Sequence, residues 1–266
     1  MKRDFSRQSF LGSESEDAFA TVKVGIVGLG GGGSHIVQQL AHIGIQRFVI
    51  SDPDIVENSN LNRLVGAQSA DVGYRITKSK IALRTIVNVN PLADVHCIGD
   101  KWHIDSNSLR DCNVIFGCVD SINEREQLER FCRRFMIVYI DVGMDVIKYD
   151  EYRIVGQVAQ SFPGSACMRC MAIITEHKLK EEAAKYGEAG GRPQVIWANG
   201  VLASTAVALF VQLLTSWGQK NEPCYLEYNG NDSILANSPR LQYILQQQCM
   251  HYPNEWGDPV FKLPDS

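Results

Sequence analysis

The feature that most constrains the fold of this chain is a glycine-rich segment that directly follows a short β-branched stretch. Residues 22–27 are rich in valine and isoleucine, and residues 34–43 have the apolar spacing of a helix. Glycines between a strand and a helix allow a tight turn and bring backbone N–H groups close to a phosphate. The segment Gly28-Leu29-Gly30-Gly31-Gly32-Gly33 therefore predicts a nucleotide site, with Gly28, Gly30, Gly31 and Gly33 as its backbone.

Strands and helices continue to alternate through the first half of the chain. The pattern predicts further strands at residues 47–51, 94–98, 113–117 and 136–141, with helices at 78–89 and 122–135. Strands that alternate with helices pair in parallel through right-handed crossovers. The fold class predicted is therefore α/β, with a Rossmann-like, doubly wound and mostly parallel sheet.

The pattern changes in the second half, which predicts a C-terminal antiparallel extension of the sheet. Residues 152–162 alternate without a following helix, and strands at 225–228 and 233–236 flank an Asn-Gly-Asn-Asp turn. We expect a polar N-terminal arm (1–20), a nucleotide-binding half (21–145) and a C-terminal half (146–266) within one compact domain. The remaining expectations are an exposed connection at 176–192, a buried helix at 197–214 and an irregular strap at 252–266.

Composition and charge favour a cytoplasmic protein. The net charge of -4 over 266 residues gives no overall attraction to nucleic acid or to anionic membranes. The start of the chain has no apolar stretch of signal-peptide length. The longest apolar stretch, residues 201–214, is too short and too polar for a membrane span, which predicts no membrane partner.

Asp52 lies at the end of the second predicted strand, where a carboxylate accepts hydrogen bonds from a ribose hydroxyl. A dehydrogenase has the same acid at a similar distance from its glycine turn. The glycine segment and Asp52 alone therefore leave an ATP enzyme and an NAD(P)-dependent oxidoreductase both open.

Four motifs resemble those of one family. Residues 52–63, DPDIVENSNLNR, are similar to D-x-D-x-V-x-x-S-N-L-x-R-Q of the ThiF/MoeB/HesA family, bacterial relatives of ubiquitin-activating enzymes, although Leu64 replaces the glutamine. Lys78 lies twelve residues before Asn90-Pro91, as the family's phosphate lysine does. Residues 120–125 match D-x-x-x-x-R, and residues 5–8 resemble R-Y-x-R-Q. The resemblance extends from Arg7 to about Leu214.

The resemblance implies an ATP-dependent adenylyltransferase that works as a homodimer. It implies that Asp52, Asp54 and Asn60 belong to the nucleotide-binding loop, and that Arg63 and Lys78 contact phosphates. It also implies that Asp120, with Asp54 as a second ligand, holds Mg²⁺, and that Arg7 reaches the ATP of the partner subunit. Lys80 is an alternative to Lys78, Asp120 could instead cap the following helix, and Arg7 could be a solvated residue of the arm.

These residue types suit adenylation on chemical grounds. An anionic carboxylate must attack a triphosphate, and negative charge grows on the leaving pyrophosphate. Arginine and lysine neutralise that charge, and Mg²⁺ prefers one or two carboxylates together with phosphate oxygens. The attacking carboxylate is ionised at pH 7 and needs no general base.

The pair Cys167-Met168-Arg169-Cys170 resembles the first half of the family's structural zinc site. The second C-x-x-C pair of the family is missing, and Cys249-Met250-His251 lies in its place. Zinc accepts three cysteines and one histidine, so Cys167, Cys170, Cys249 and His251 are the predicted ligands. Cys224 is an alternative ligand, and a decayed site with free cysteines is a further alternative.

The identity of the acyl group follows from the resemblance alone. The family implies the glycine-ended tail of a ubiquitin-like modifier or sulfur-carrier protein, while some relatives activate a peptide or a modified tRNA base. Neither Cys118 nor Cys224 has the setting of a nucleophile, so we expect adenylation without an enzyme thioester. The rival functions are an NAD(P)-dependent oxidoreductase and a non-catalytic nucleotide-binding scaffold.

Overall fold

A computed structural model of the chain describes residues 4–148, 150–184, 193–217, 224–245 and 249–252. Its centre is an eight-stranded sheet with the strand order β3-β2-β1-β4-β5-β6-β7-β8. Strands β1 to β5 are parallel, and β6, β7 and β8 extend the sheet in antiparallel pairing. The strands are β1 (Lys23–Val27), β2 (Arg47–Ser51), β3 (Asp94–Ile98), β4 (Val114–Gly117), β5 (Val138–Lys148), β6 (Tyr152–Ser161), β7 (Tyr225–Asn229) and β8 (Ile234–Asn237). The predicted fold class is confirmed.

Helices cover both faces of the sheet, because each parallel crossover places a helix on one face or the other. One hydrophobic core joins the sheet to α2, α4 and α7, and a second core joins the opposite face to α5 and a 3-10 helix (Trp102–Leu109). The helices are α1 (Ser15–Thr21), α2 (Gly31–Ile43), α3 (Ser69–Gly73), α4 (Lys78–Val89), α5 (Ile122–Arg134), α6 (Glu176–Ala184), α7 (Ile196–Leu214) and α8 (Leu241–Ile244).

Helix α7 is a core helix of the fold. By length and composition it is the one candidate membrane span within the described ranges, with a mean hydropathy of 1.6. Its Ala198, Leu202 and Phe210 are fully buried, and it packs on α2, β5 and β6. The sequence prediction of a buried helix here is therefore confirmed.

The N-terminal residues differ from the expected arm. Residues Ser6–Leu11 form a 3-10 helix and α1 follows, with Leu11 and Phe19 buried in the core beside α2 and α7. Two apolar side chains eight residues apart are too sparse to show a helical period, although they are enough to anchor the segment.

Three other expectations also differ from the structure. The boundary expected at residues 145 and 146 falls inside β5, which runs unbroken to Lys148. The expected connection at 176–192 has no buried residue up to Ala184, as predicted, but it begins as the regular helix α6. Helix α2 begins at Gly31, three residues early, because the glycines themselves form its first turn. Of the expected C-terminal strap, only Tyr252 lies within the described residues.

Candidate active site

A cleft of about 370 Å³ opens at the carboxyl ends of the parallel strands, where α/β sheets bind ligands. We call it the glycine-loop cleft. The predicted site residues that it brings together come from five separate parts of the sequence. The predicted site residues on its wall are Gly28, Gly30, Gly31, Asp52, Asp54, Asn60, Arg63, Lys78 and Asp120.

The glycine turn presents the start of α2 to this cleft. Gly28 has a φ of +88°, and its N–H donates to the Ser51 carbonyl at 2.9 Å. A Cβ on Gly33 would overlap the Gly28 carbonyl oxygen. The absent side chain of Gly33 therefore lets the start of α2 pack against the turn. Gly33 itself is not on the wall of the cleft. The unpaired N–H groups of the first turn of α2, which starts at Gly31, provide a place for anionic phosphates.

Asp52 is buried at the base of the cleft and is held by the backbone. One carboxylate oxygen accepts from Leu29 N at 2.7 Å, and the other accepts from Asp54 N at 2.9 Å. Burial raises the pKa of Asp52, and the charge of Lys78 opposes that effect. Its side chain thus ties the glycine turn to the loop that follows β2.

Lys78 lines the cleft, as Lys101 also does, whereas Lys80 is exposed outside it. The Lys78 ammonium lies 2.6 Å from Asp54 Oδ2 and 3.7 Å from Asp52 Oδ1. Backbone contacts support this position, because Lys78 N donates to the Asp54 carbonyl at 2.9 Å and Ile55 forms a β-bridge with Thr77. The start of α4 and the acidic loop therefore form one unit.

Asn60 ends a short 3-10 helix (Asn58–Asn60), and Arg63 lies three residues beyond it. Asn60 Oδ1 accepts from Glu57 N at 3.0 Å, so this oxygen maintains the loop. The Arg63 guanidinium donates to the Ser59 carbonyl, and at 3.0 Å to Asn62 Oδ1. Both acceptors are neutral, so neither of these two contacts balances the Arg63 charge with a carboxylate.

Asp120 is exposed at the rim, and other groups cap the helix that follows it. Ser121 Oγ accepts from Glu124 N at 3.1 Å, and Glu182 accepts from Ile122 N and Asn123 N, each at 2.9 Å. Asp120 contacts Gln194, whose Nε2 donates to it at 3.3 Å. The alternative that Asp120 caps α5 therefore fails, and its carboxylate faces the cleft.

A buried ion pair lies behind the cleft and was missed at the sequence level. Arg125 donates to Asp141 Oδ2, and both side chains are almost fully buried. Tyr139 Oη and Gln157 Nε2 also donate to Asp141, at 3.2 and 3.3 Å. Arg125 appeared in the sequence only as the last residue of a motif. The sequence signal for its partner, Asp141, was an aspartate at the end of a predicted strand.

Arg7 lies at the opposite end of α2 from the cleft. It lines a separate surface hollow with Asp4, Phe5, Gln8 and His42. Gln8 Nε2 donates to the Ile43 carbonyl at 3.0 Å, which fixes this segment at the C-terminus of α2. Thirteen helical residues span about 20 Å. Arg7 therefore does not reach the cleft of its own chain.

The four predicted metal ligands converge at a second site. The ligand atoms of Cys167, Cys170, Cys249 and His251 all lie within 4.8 Å of one another. Cys170 Sγ lies 3.6 Å from Cys167 Sγ and 3.6 Å from Cys249 Sγ, and His251 Nδ1 lies 3.4 Å from Cys167 Sγ and 3.5 Å from Cys170 Sγ. A tetrahedral zinc site with ordinary bond lengths has S–S edges of about 3.8 Å and S–N edges of about 3.6 Å. The donor set and its spacing fit zinc.

Neither remaining candidate cysteine joins the metal cluster. Cys224 lies just before β7, where its carbonyl accepts from Gln160 N at 2.8 Å. Cys118 lines the glycine-loop cleft, and burial raises the pKa of its thiol. A raised pKa disfavours the thiolate, which is the nucleophilic form of cysteine.

The fold and the cleft together define a class of protein. A mostly parallel sheet with a glycine turn, a buried aspartate after β2 and cations at one cleft is typical of Rossmann-like nucleotide-binding proteins. The chain belongs to the ThiF family, whose profile matches residues 2–249. The predicted resemblance is confirmed, and so is the predicted enzyme class, an ATP-dependent adenylyltransferase.

Two relatives are similar to this chain over most of its length. The chain is 27% identical over 234 residues to the SAMP-activating enzyme E1 of Haloferax volcanii, with 86% of this chain and 80% of that protein covered. It is 26% identical over 267 residues to the ubiquitin-like modifier-activating enzyme 5 of Caenorhabditis elegans. That match covers 91% of this chain but 59% of the relative, so the chain spans less than two thirds of it.

Among solved structures, E. coli MccB with ATP has a similar fold. The TM-score is 0.73 with 21% sequence identity, and the match covers 90% of this chain and 71% of MccB. Identity at this level supports the shared fold alone.

Proposed function

We propose that this protein activates the C-terminal carboxylate of a ubiquitin-like or sulfur-carrier protein, or of a peptide, as an acyl-adenylate. The observation that carries the proposal is that one cleft gathers the start of α2, Asp52, Arg63, Lys78 and Asp120. The names of the relatives support the acyl partner, because they are activating enzymes of SAMP and of a ubiquitin-like modifier.

The chemistry needs little beyond positioning and charge. A carboxylate oxygen of the acyl partner attacks the α-phosphorus of ATP, and a new O–P bond forms. The bond between the α-phosphorus and the bridging oxygen breaks, and pyrophosphate leaves with the electron pair. Lys78 and Arg63 stabilise the charge that grows on the leaving group. Asp52 orients the ribose, and the start of α2 binds phosphate oxygens.

Two carboxylates suit a magnesium ion in this cleft. Asp120 is exposed with a glutamine amide as its contact, and Asp54 is paired with Lys78. Mg²⁺ binds through one or two carboxylates together with substrate phosphates. When bound it neutralises phosphate charge, with Asp120 as its first ligand and Asp54 as a second.

The Cys/His cluster is proposed to hold a structural zinc ion. Cys167 and Cys170 follow β6, whereas Cys249 and His251 belong to a distant segment of the chain. Zinc would fix these segments to each other and would contribute directly to folding stability.

We further propose a cytoplasmic homodimer in which Arg7 completes the site of the neighbouring subunit. Arg7 is about 20 Å from the glycine turn of its own chain, as judged from the length of α2. The glycine-loop cleft of its own chain is therefore out of reach, which supports a role for Arg7 at the ATP of another subunit. A dimer whose Arg7→Ala variant retains full activity would exclude this part of the proposal.

The decisive experiment incubates the full chain with α-³²P-labelled ATP, Mg²⁺ and candidate carrier proteins. We expect labelled AMP on the carrier's C-terminus. In a parallel incubation with ³²P-labelled pyrophosphate and unlabelled ATP, we expect carrier-dependent incorporation of label into ATP. A carrier with an amidated C-terminus is the matched control and should give neither signal. Exchange that requires NAD, or no AMP transfer to any carboxylate, would contradict the proposal.

Two variants separate catalysis from a scaffold role. Arg63→Ala and Asp120→Ala remove charges from the cleft wall without touching a buried core. We expect both to abolish the exchange and the cellular function of the protein. An intact cellular function in both would instead favour a non-catalytic scaffold.

A further inference from the structure

Arg133 is a buried cation that lies outside the glycine-loop cleft and has no part in adenylation. It is on the last turn of α5 and is 1% exposed. Its Nη2 donates to Ser161 Oγ at 2.9 Å and to the carbonyls of Ser165 and Ala166 at 3.1 and 3.2 Å. Those two carbonyls immediately precede Cys167 in the chain. Arg133 therefore fixes the backbone that carries the first pair of metal ligands.

The same guanidinium also contacts the segment that carries the second pair. Its Cζ lies 4.6 Å from the ring centroid of Tyr252, and Tyr252 directly follows His251. The Tyr252 ring is buried with Cys167 and Cys249 in one small cluster. Cys170 and Cys249 are 79 residues apart in the sequence. Arg133 thus contacts both of the distant segments that zinc would join.

Glu129 completes the same network from the preceding turn of α5. It is 0% exposed, its Oε1 accepts from Met168 N at 2.8 Å, and Arg133 Nε lies 3.8 Å away. Ser161 Oγ also donates to this carboxylate. Two side chains of one helix turn therefore hold the backbone on both sides of Cys167.

We infer that Arg133 is the positioning residue of the metal centre, because it aligns the two segments that carry the ligands. The inference rests on the zinc proposal made above. It makes zinc affinity depend on a side chain that is not a ligand, as outer-shell groups do in other metal sites.

The test compares zinc binding by four forms of the full chain. They are the wild type, Arg133→Met, Arg133→Lys and Phe131→Leu, measured by competition with a chromophoric chelator. Phe131 is buried on the same helix and packs on Trp102 and Phe135, so Phe131→Leu lowers stability while it keeps Arg133 and all four ligands. We expect Arg133→Met to weaken zinc binding by about 10- to 100-fold. Arg133→Lys should lie between the wild type and Arg133→Met, because it keeps the charge.

The cobalt spectrum supplies a readout that a loss of fold stability does not move. Co²⁺ in the wild type should show the absorption of a tetrahedral S₃N site, and Phe131→Leu should retain it. In Arg133→Met we expect a shifted or weakened thiolate band. If Arg133→Met does not fold, Tyr252→Leu replaces it. That variant removes the aromatic partner and should weaken zinc binding in the same direction.

Three results would overturn the inference. The first is that Arg133→Met binds zinc with the same affinity as the wild type. If Tyr252→Leu replaces Arg133→Met, the first result is equal affinity in Tyr252→Leu and the wild type. An equal loss in Phe131→Leu, which would mark a general stability effect, is the second. A wild type that binds no zinc at all is the third, and it would also remove the zinc proposal. Carrier-dependent ATP–pyrophosphate exchange is measured separately, so the fate of the adenylation proposal remains distinguishable.

Discussion

The ammonium of Lys78 lies 2.6 Å from the carboxylate of Asp54, and this contact joins the start of α4 to the acidic loop that follows β2. The Lys78 side chain is 13% exposed, whereas that of Asp54 is 63% exposed. The lysine is therefore fixed in the cleft wall, and the aspartate is the partner that is free to turn toward a metal ion. A bound triphosphate offers the ammonium new anionic partners at the same place.

Lys78→Ala should reduce ATP–pyrophosphate exchange by about 10²- to 10³-fold, the usual effect of removing one preorganised group that stabilises developing charge. Lys80→Ala is the matched control, because Lys80 is two residues away and exposed outside the cleft. It should exchange at nearly the wild-type rate. Equal losses in the two variants would exclude a specific role for Lys78.

Glu124→Gln should stabilise the protein at neutral pH. Glu124 lies in the cleft wall, where burial raises the pKa of its carboxyl and the charge of Lys101 opposes that effect. A raised folded-state pKa means that the neutral form is favoured in the fold. The contribution of this group to stability is then complete below its ordinary pKa of about 4.5 and is lost as the pH rises through the folded-state pKa.

Urea unfolding of the wild type and Glu124→Gln at several pH values tests this prediction. The glutamine variant should be the more stable at pH 7, and the difference should shrink as the pH falls toward 5. A difference that is independent of pH, or a less stable variant at pH 7, would show that the carboxylate is compensated in the fold.

Asp141→Leu should destabilise the chain by about 3–5 kcal/mol, because it leaves the buried guanidinium of Arg125 without its carboxylate. The double variant Arg125→Met and Asp141→Leu replaces both charges by apolar groups and should recover most of the loss. Denaturant unfolding measures both. If Asp141→Leu is as stable as the wild type, the Arg125 guanidinium must have water or another anion as its partner in that variant.

Glu182→Ala should loosen the first turn of α5 by about 1 kcal/mol, the usual effect of losing a helix cap. Glu182 accepts from two backbone N–H groups of that turn and from Ser121 Oγ. Hydrogen exchange of the Ile122 and Asn123 amides measures the effect. The neighbouring Glu181 is exposed on α6, and Glu181→Ala should leave both amides as protected as in the wild type.

The sequence predicted the parallel half of the fold well, because each element there has a strong local signal. The strand at Arg47–Ser51 and the helix at Lys78–Val89 have the predicted bounds, and Arg63 and Lys78 meet at one cleft although fifteen residues separate them. A parallel sheet brings the carboxyl ends of its strands to one edge. The position of each motif after a predicted strand was therefore enough to place Arg63 and Lys78 at the same cleft.

What the sequence could not supply were the contacts made by tertiary structure. Glu182 caps α5 from about 60 residues away, and Arg133 contacts residues on both sides of the metal cluster. Neither contact leaves a local pattern, since a charged residue on an amphipathic helix is normally solvated. The N-terminal helices were missed for a related reason, because Leu11 and Phe19 bury a segment that is otherwise polar.

The most direct test of the account is a crystal structure of the full chain with Mg²⁺ and a non-hydrolysable ATP analogue. We predict that Lys78 Nζ and the Arg63 guanidinium lie within hydrogen-bonding distance of phosphate oxygens, with the Asp52 carboxylate on the ribose. Bound nucleotide with both cations directed away from the phosphates, in the dimer as well as in the single chain, would contradict it.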